Sequence, residues 1–198
     1  MKASQLKTTQ GIEVAGPLLL EPKLYADERG FFMESWNQDV FLHILSQHHQ
    51  PHPINFIQDN HSSSCRGVLR GLHYQLNPKA QAKLVRCVRG AIYDVAVDLR
   101  FQSPTFGQWV AVELSETNHH QLWIPEGFAH GFITLSDVAV VLYKTNHYWD
   151  RTLERSIRWD DPDLAIHWER SGQPITPLLS DKDAQASLWS QLSQDDFF

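Results

Sequence analysis

Between Gln58 and about Trp159 the chain alternates between apolar and polar positions with a period of two. Tyr93, Val95, Val97 and Leu99 are separated by Asp94, Ala96, Asp98 and Arg100, a pattern that predicts a strand with one apolar face. Val110, Val112 and Leu114 alternate in the same way with Trp109, Ala111 and Glu113. Gly71, Gly90, Gly107, Gly127 and Gly131 punctuate these runs at turn-like places. Many short strands without interleaved helices predict an antiparallel sandwich or barrel. Helical spacing shows at two places. Asn37 to His48 has a capping Asn37 and an apolar stripe of Val40, Phe41, Ile44 and Leu45. Ser180 to Leu192 reads as a terminal helix with Leu188, Trp189 and Leu192 on one side. The HHQPHP string after the first helix is a proline-bearing loop. No repeat or low-complexity segment divides the chain, so residues 1–198 are expected to form one domain.

Composition narrows the function classes. Apolar residues make up 42% and charged residues 20%, enough for a core and outside the disordered range. Seven Trp and ten Phe are core formers that also line pockets for flat ligands. The net charge is -6, and Lys and Arg are scattered without a basic run. A nucleic-acid partner is therefore not expected, while a small phosphorylated ligand needs only a few local cations. Cys65 and Cys87 are too few for a disulfide framework or a zinc site. The MKASQLKTTQG start lacks an apolar signal core, and the longest apolar stretch, Val138 to Leu142, is too short to span a membrane. A soluble, cytoplasmic protein is expected.

Two histidines stand out by context: His73 in VLRGLHYQ and His130 in IPEGFAHGF. Pro125, Gly127 and His130 form Pro-x-Gly-x-x-His, which resembles the second motif of the cupin superfamily. Metal-binding cupins carry His-x-His and a later Glu in the first motif. Here Gln75 takes the second histidine's place and no Glu follows at the usual spacing. Two histidines make a poor metal site, so no metal is expected and the histidines are free for acid–base work. His130 also fits a satisfied barrel histidine. His48, His49 and His52 read as a surface loop, as do His119 and His120 before a strand.

DERGFFMES, IQDNHS, VLRGLHYQ, AQAKLVRCVRG, PTFGQW, QLWIPEGFAHGF, LYKTNHYW and SDKDA follow one another in that order. Together they resemble the dTDP-4-dehydrorhamnose 3,5-epimerase family over about residues 5 to 190. The resemblance implies an all-β, cupin-type antiparallel barrel (a jelly roll) with a few short peripheral helices. It implies epimerisation at C3 and C5 of dTDP-4-keto-6-deoxyglucose, in dTDP-L-rhamnose biosynthesis, with no cofactor. The base falls on His73, the acid on Tyr143, the carboxylate orienting the histidine on Asp183, and the lysine near the enolate oxygen on Lys83. Nucleotide contacts fall on Arg29, Glu34, Gln58, Asp59, Asn60, Arg70, His130, Glu154 and Lys182, with Trp149 stacking on thymine. The family further implies a homodimer with exchanged N-terminal strands, so that Arg29 and Glu34 serve the partner's site.

The residue types suit that chemistry. A ketone at C4 acidifies the protons on C3 and C5, and inversion removes a proton from one face and returns one to the other. Histidine titrates near neutrality, with an unperturbed pKa of about 6.5. A carboxylate on its other nitrogen fixes the tautomer. Tyrosine, with an unperturbed pKa of about 10, can protonate a basic carbon, and a lysine supplies charge where the enolate develops. Arg29 and Arg70 can each grip phosphate oxygens. Plainer readings stand beside these: Asp183 as the third residue of a capping box with Ser180, Tyr143 as a core aromatic, Lys83 as a solvated strand lysine, Arg29 as a turn residue. Gln58 and Asn60 alternate, so they share a face. The rival functions are an epimerase acting at C3 or C5 alone, a metal-dependent cupin oxygenase, and a non-catalytic nucleotide-sugar binding protein.

Overall fold

The structure, a computed structural model, describes residues 1–50, 53–169 and 176–198. Two antiparallel sheets face each other. The first has the order β1 (Lys2–Lys7), β2 (Glu13–Glu21), β10 (Gln121–Ile124), β7 (Lys83–Arg89), β12 (Val138–Thr145), β5 (Gln58–Cys65). The second has the order β13 (Glu154–Ser156), β6 (Leu69–Gln75), β11 (Phe128–Thr134), β8 (Ala91–Asp98), β9 (Trp109–Ser115). A separate hairpin pairs β3 (Tyr25–Asp27) with β4 (Gly30–Phe32). This is the all-β, cupin-type architecture expected from the sequence. The N-terminal strands carried no alternation signal of their own and were implied only by the family resemblance.

The barrel interior is apolar at its centre. Val85, Cys87, Leu122, Ile124 and Val141 from the first sheet meet Ile92, Ala96, Val110, Leu114, Phe128 and Phe132 from the second. The inward residues of β9 are Val110 and Leu114, as its alternation predicts. The stripe on β8 faces the other way. Tyr93, Val95, Val97 and Leu99 pack outside the barrel with Leu72, Ala129, Ile133, Leu164 and Trp168. Asp94, Ala96 and Asp98 point inward, and all three are fully buried. The polar positions of β8 are thus not a solvated face, because C-terminal segments cover the strand's outer side and both faces are enclosed. Asp98 is satisfied there by Arg100, Ser103 and Thr105.

Helix α1 (Gln38–Gln47) covers the outer face of the first sheet. Asn37 caps it by accepting the Val40 N–H at 3.2 Å. Phe41, Ile44 and Leu45 from its stripe bury against Leu18, Leu20, Leu84 and Trp123. The predicted terminal helix is replaced by one helical turn, α2 (Asp181–Ala184), and a 3-10 turn at Trp189–Gln191. Tertiary pairing breaks it: Ser187 bridges Ile157, and its carbonyl accepts the Arg158 N–H at 2.9 Å. That holds the backbone extended where a helix needs it coiled. Trp189 and Leu192 still pack against the outer core.

Gly90, Gly107 and Gly127 occupy turns with positive φ. Gly71 and Gly131, also expected in turns, lie instead inside β6 and β11. A Cβ on Gly71 would sit 2.6 Å from the Gly131 Cα, and one on Gly131 would sit 2.8 Å from the Arg70 carbonyl oxygen. They mark where two backbones nearly touch. His48 ends α1 as its C-cap, His119 and His120 precede β10 as expected, and His52 lies outside the described residues. Both cysteines are free.

Candidate active site

His73 lies on β6, directly opposite His130 of β11 and Ser156 of β13. Its Nε2 is 2.5 Å from Asp183 Oδ1. Asp183 comes from α2, whose first turn starts at Ser180 in an extended conformation. The Ser180 hydroxyl accepts the Asp183 N–H at 3.2 Å and donates to Asp183 Oδ2 at 2.8 Å. The cap is the Ser180 hydroxyl on the Asp183 N–H and not the Asp183 side chain, so the carboxylate takes that hydroxyl on Oδ2 and keeps Oδ1 for His73. Burial pushes the Asp183 carboxyl up, but the His73 hydrogen bond and charge, Ser180 and a Gly71 backbone hydrogen bond outweigh it and hold the group below its ordinary value. A proton on Nε2 shared with Asp183 leaves Nδ1 with a lone pair for other chemistry.

Lys83 opens β7 between Ile124 and Thr145. It is buried, and its ammonium donates to the His73 carbonyl at 3.3 Å, bridging the two sheets. Burial lowers its pKa to about 8, against upward pushes from Asp94 and Glu154 and a further downward push from Lys182. Tyr143 stands on β12 between Asn60 and Val85, with the same inward orientation as Lys83. Burial raises its pKa, Arg70 lowers it and Glu154 raises it. Both charges come from the opposing sheet, so the phenol works in a field set from across the barrel. Tyr143 also packs at the edge of the central core, which satisfies its plainer reading without excluding chemistry.

Arg70 spans the barrel to Ser64 at 3.1 Å. Glu154 and Lys182 pair with each other at 2.6 Å. Gln58 donates to Asn60 at 2.9 Å and accepts the Trp149 N–H at 3.4 Å. The Trp149 residue is 56% exposed, so its ring is not part of the core. His130 is buried with its Nε2 2.5 Å from Asp94 Oδ1. Burial lowers its pKa against the raising effect of Asp94. Three predicted contacts stand apart from this group. Asp59 points to the outer face of β5 and pairs with Lys144 at 2.8 Å. Arg29 is exposed at the β3–β4 turn beside Asp27, and Glu34 is exposed and accepts the Asn37 amide at 3.2 Å.

Nothing in the sequence singles out Asp94. It reads as one polar position in a strand, and only the register of β8 against β11 brings it to His130. Gln75 has a role of its own: its amide donates to the Lys79 and Tyr148 carbonyls and accepts the Asp150 N–H. A side chain committed to three backbone groups is not poised as a ligand. Among the described residues no three His, Cys, Asp or Glu side chains gather as a metal site.

Fold and site together define a cupin-type barrel that holds two histidine–carboxylate pairs, His73 with Asp183 and His130 with Asp94. The chain belongs to the dTDP-4-dehydrorhamnose 3,5-epimerase family, whose sequence profile matches residues 11–191. It is similar to the dTDP-4-dehydrorhamnose 3,5-epimerase of Shigella flexneri, with 56% identity over 172 residues, 86% of this chain and 90% of that protein. It resembles the crystal structure of dTDP-6-deoxy-D-glucose-3,5-epimerase from Legionella pneumophila in complex with dTDP-4-keto-L-rhamnose. The TM-score is 0.86 at 43% identity, covering 99% of this chain and 97% of that one. A dTDP-4-dehydrorhamnose 3-epimerase of Streptomyces niveus is 39% identical over 181 residues, 91% of this chain and 82% of that protein.

Proposed function

We propose that this chain, a single domain acting in the cytoplasm as a homodimer, inverts C3 and C5 of dTDP-4-keto-6-deoxyglucose to give dTDP-4-keto-L-rhamnose. The observation that carries the chemistry is the 2.5 Å contact between His73 and Asp183. His73 removes the proton next to the C4 ketone, and Asp183 holds the ring and stabilises the imidazolium that forms. Lys83 stands where negative charge develops on O4. Tyr143 returns a proton on the opposite face. Removing and returning protons beside a ketone leaves the oxidation state unchanged, so the reaction consumes no redox equivalent.

Arg70, Gln58 and Asn60 hold the diphosphate end, with His130, Glu154 and Lys182 near Lys83. Trp149 lies under the thymine. Arg29 and Glu34 belong to the neighbouring subunit's site, in keeping with their exposed, local contacts here.

The test is deuterium incorporation from heavy water. The wild-type protein should place deuterium at both C3 and C5. Tyr143→Phe keeps the ring and removes the hydroxyl; it should still exchange, while inversion falls by about 10²-fold or more. His73→Asn should lose both. Exchange and inversion falling together in Tyr143→Phe would mean that the phenol is needed to form the enolate. A second reading, a single-centre enzyme, is favoured by the Streptomyces relative named as a 3-epimerase. Deuterium confined to C3 would identify it.

A further inference from the structure

Asp94 is a buried carboxylate that the mechanism above does not use. It is fully buried in the middle of β8. Its Oδ1 is bound to His130, and its Oδ2 is buried with no hydrogen-bond partner among the described residues. The register Phe132↔Asp94 lies beside His130↔Ala96 and His130↔His73, which places Asp94 in the same layer of the barrel as the proposed base.

Lys83 is the cation whose state this carboxylate affects. Five titratable residues from five elements bear on it: Asp94 on β8, Glu154 on β13 and Lys182 on α2 through their charges, His73 on β6 through its carbonyl, and His130 on β11. Glu154 is neutralised by its 2.6 Å pair with Lys182. Asp183 is engaged by His73 and Ser180. His130, buried and biased toward its neutral form, holds Asp94 without cancelling it. Asp94 is the negative charge left uncompensated around a buried ammonium that has a neutral carbonyl as its hydrogen-bond acceptor.

We propose that Asp94 is a positioning residue for the epimerisation: its carboxylate, held by His130, keeps Lys83 in the ammonium form so that a cation is in place before the enolate oxygen gains charge. The proposal rests on the reading of Lys83 as the group facing O4. It deepens that reading by naming what maintains the lysine's charge against burial, which alone favours the neutral amine.

Asp94→Asn keeps an oxygen for His130 and removes the charge. Lys83 would then lose its proton at a lower pH than the present value of about 8. The alkaline limb of kcat should move toward acid by about one pH unit or more, with kcat at pH 8 down about fivefold or more as the protonated fraction falls from about one half to about one tenth. The Kd for dTDP should stay within about twofold. Asp94→Glu, which keeps the charge, should return the limb to near its wild-type position even if kcat is reduced. A limb that stays in place in Asp94→Asn, or moves as far in Asp94→Glu, overturns the proposal. If Asp94→Asn does not fold, the wild-type protein and Asp94→Glu still decide the matter. After reductive methylation with 13C-formaldehyde, the Lys83 resonance should report a cation at pH 7 in both. A neutral Lys83 at pH 7 in the wild type overturns the proposal. This titration reads no turnover, so its failure is separate from a failure of the epimerase reading.

Discussion

Lys83 is a group whose place in the barrel destabilises the fold. Burial takes its pKa from 10.5 to about 8, a depression worth about 3 kcal/mol at most. Below pH 8 the lysine is protonated in both folded and unfolded chains, so the cost is present in full. Between pH 8 and 10.5 the unfolded chain holds a proton that the native one lacks, and stability rises with pH. Lys83→Met should therefore stabilise the protein at pH 7 by about 1–3 kcal/mol, and the advantage should shrink toward pH 10. Urea melts at the two pH values measure this directly. A variant no more stable than wild type at pH 7 would mean that the ammonium is better compensated than one 3.3 Å hydrogen bond implies.

Trp149 poses the opposite case, an aromatic residue left in the open. Trp149→Ala should weaken dTDP binding by about 1–3 kcal/mol, as base stacking does elsewhere, and leave the melting temperature nearly unchanged. A dTDP titration by calorimetry would show an unchanged Kd if the ring has no ligand. His73, Asp183 and Tyr143 are legible in the sequence because they sit in distinctive strings. Asp94 is not, since the β8 alternation gives it the look of a solvent-facing residue. Asp59 shows the converse: alternation alone turns it away from Gln58 and Asn60, and the structure follows the alternation.

At the scale of elements, the site depends on how closely β6 and β11 approach. Gly131 has an ordinary backbone conformation, so the obstacle to a side chain there is steric: the Arg70 carbonyl at 2.8 Å and the Gly71 Cα at 3.3 Å. Both are backbone atoms that cannot swing aside. Gly131→Ala should cost about 1–3 kcal/mol by overpacking, and activity should fall further than stability because His73 and His130 face each other across this seam. A variant with wild-type kcat would show that the strands can part without disturbing the site. Element type was readable where local signals agree: α1 has both a cap and an apolar stripe. The terminal helix failed for a non-local reason, the bridge from Ser187 to Ile157, which no window of the sequence contains. The outward turn of the β8 stripe likewise depends on distant C-terminal residues that cover it.

At the scale of the whole molecule, the β3–β4 hairpin exposes Tyr25, Phe31 and Phe32, each more than half accessible. Adjacent exposed aromatics of this kind mark an interaction surface. In the proposed homodimer, Arg29 on this hairpin serves the neighbouring barrel. Arg29→Ala and His73→Asn subunits, each inactive alone, should recover about one quarter of wild-type activity when mixed by refolding. Half of the random pairs are then hybrids with one complete site. No recovery would place Arg29 in its own subunit's site or outside the site. A further consequence lies in the distance along the chain between His73 and Asp183, which is 110 positions. The α2 turn follows every strand of both sheets. A ribosome makes the whole barrel before it makes the residue that sets the histidine ring. On the proposed mechanism, competence toward substrate is thus acquired only once Asp183 has been made, and a product terminated between β13 and α2 has its strands but lacks the carboxylate that holds the proposed base.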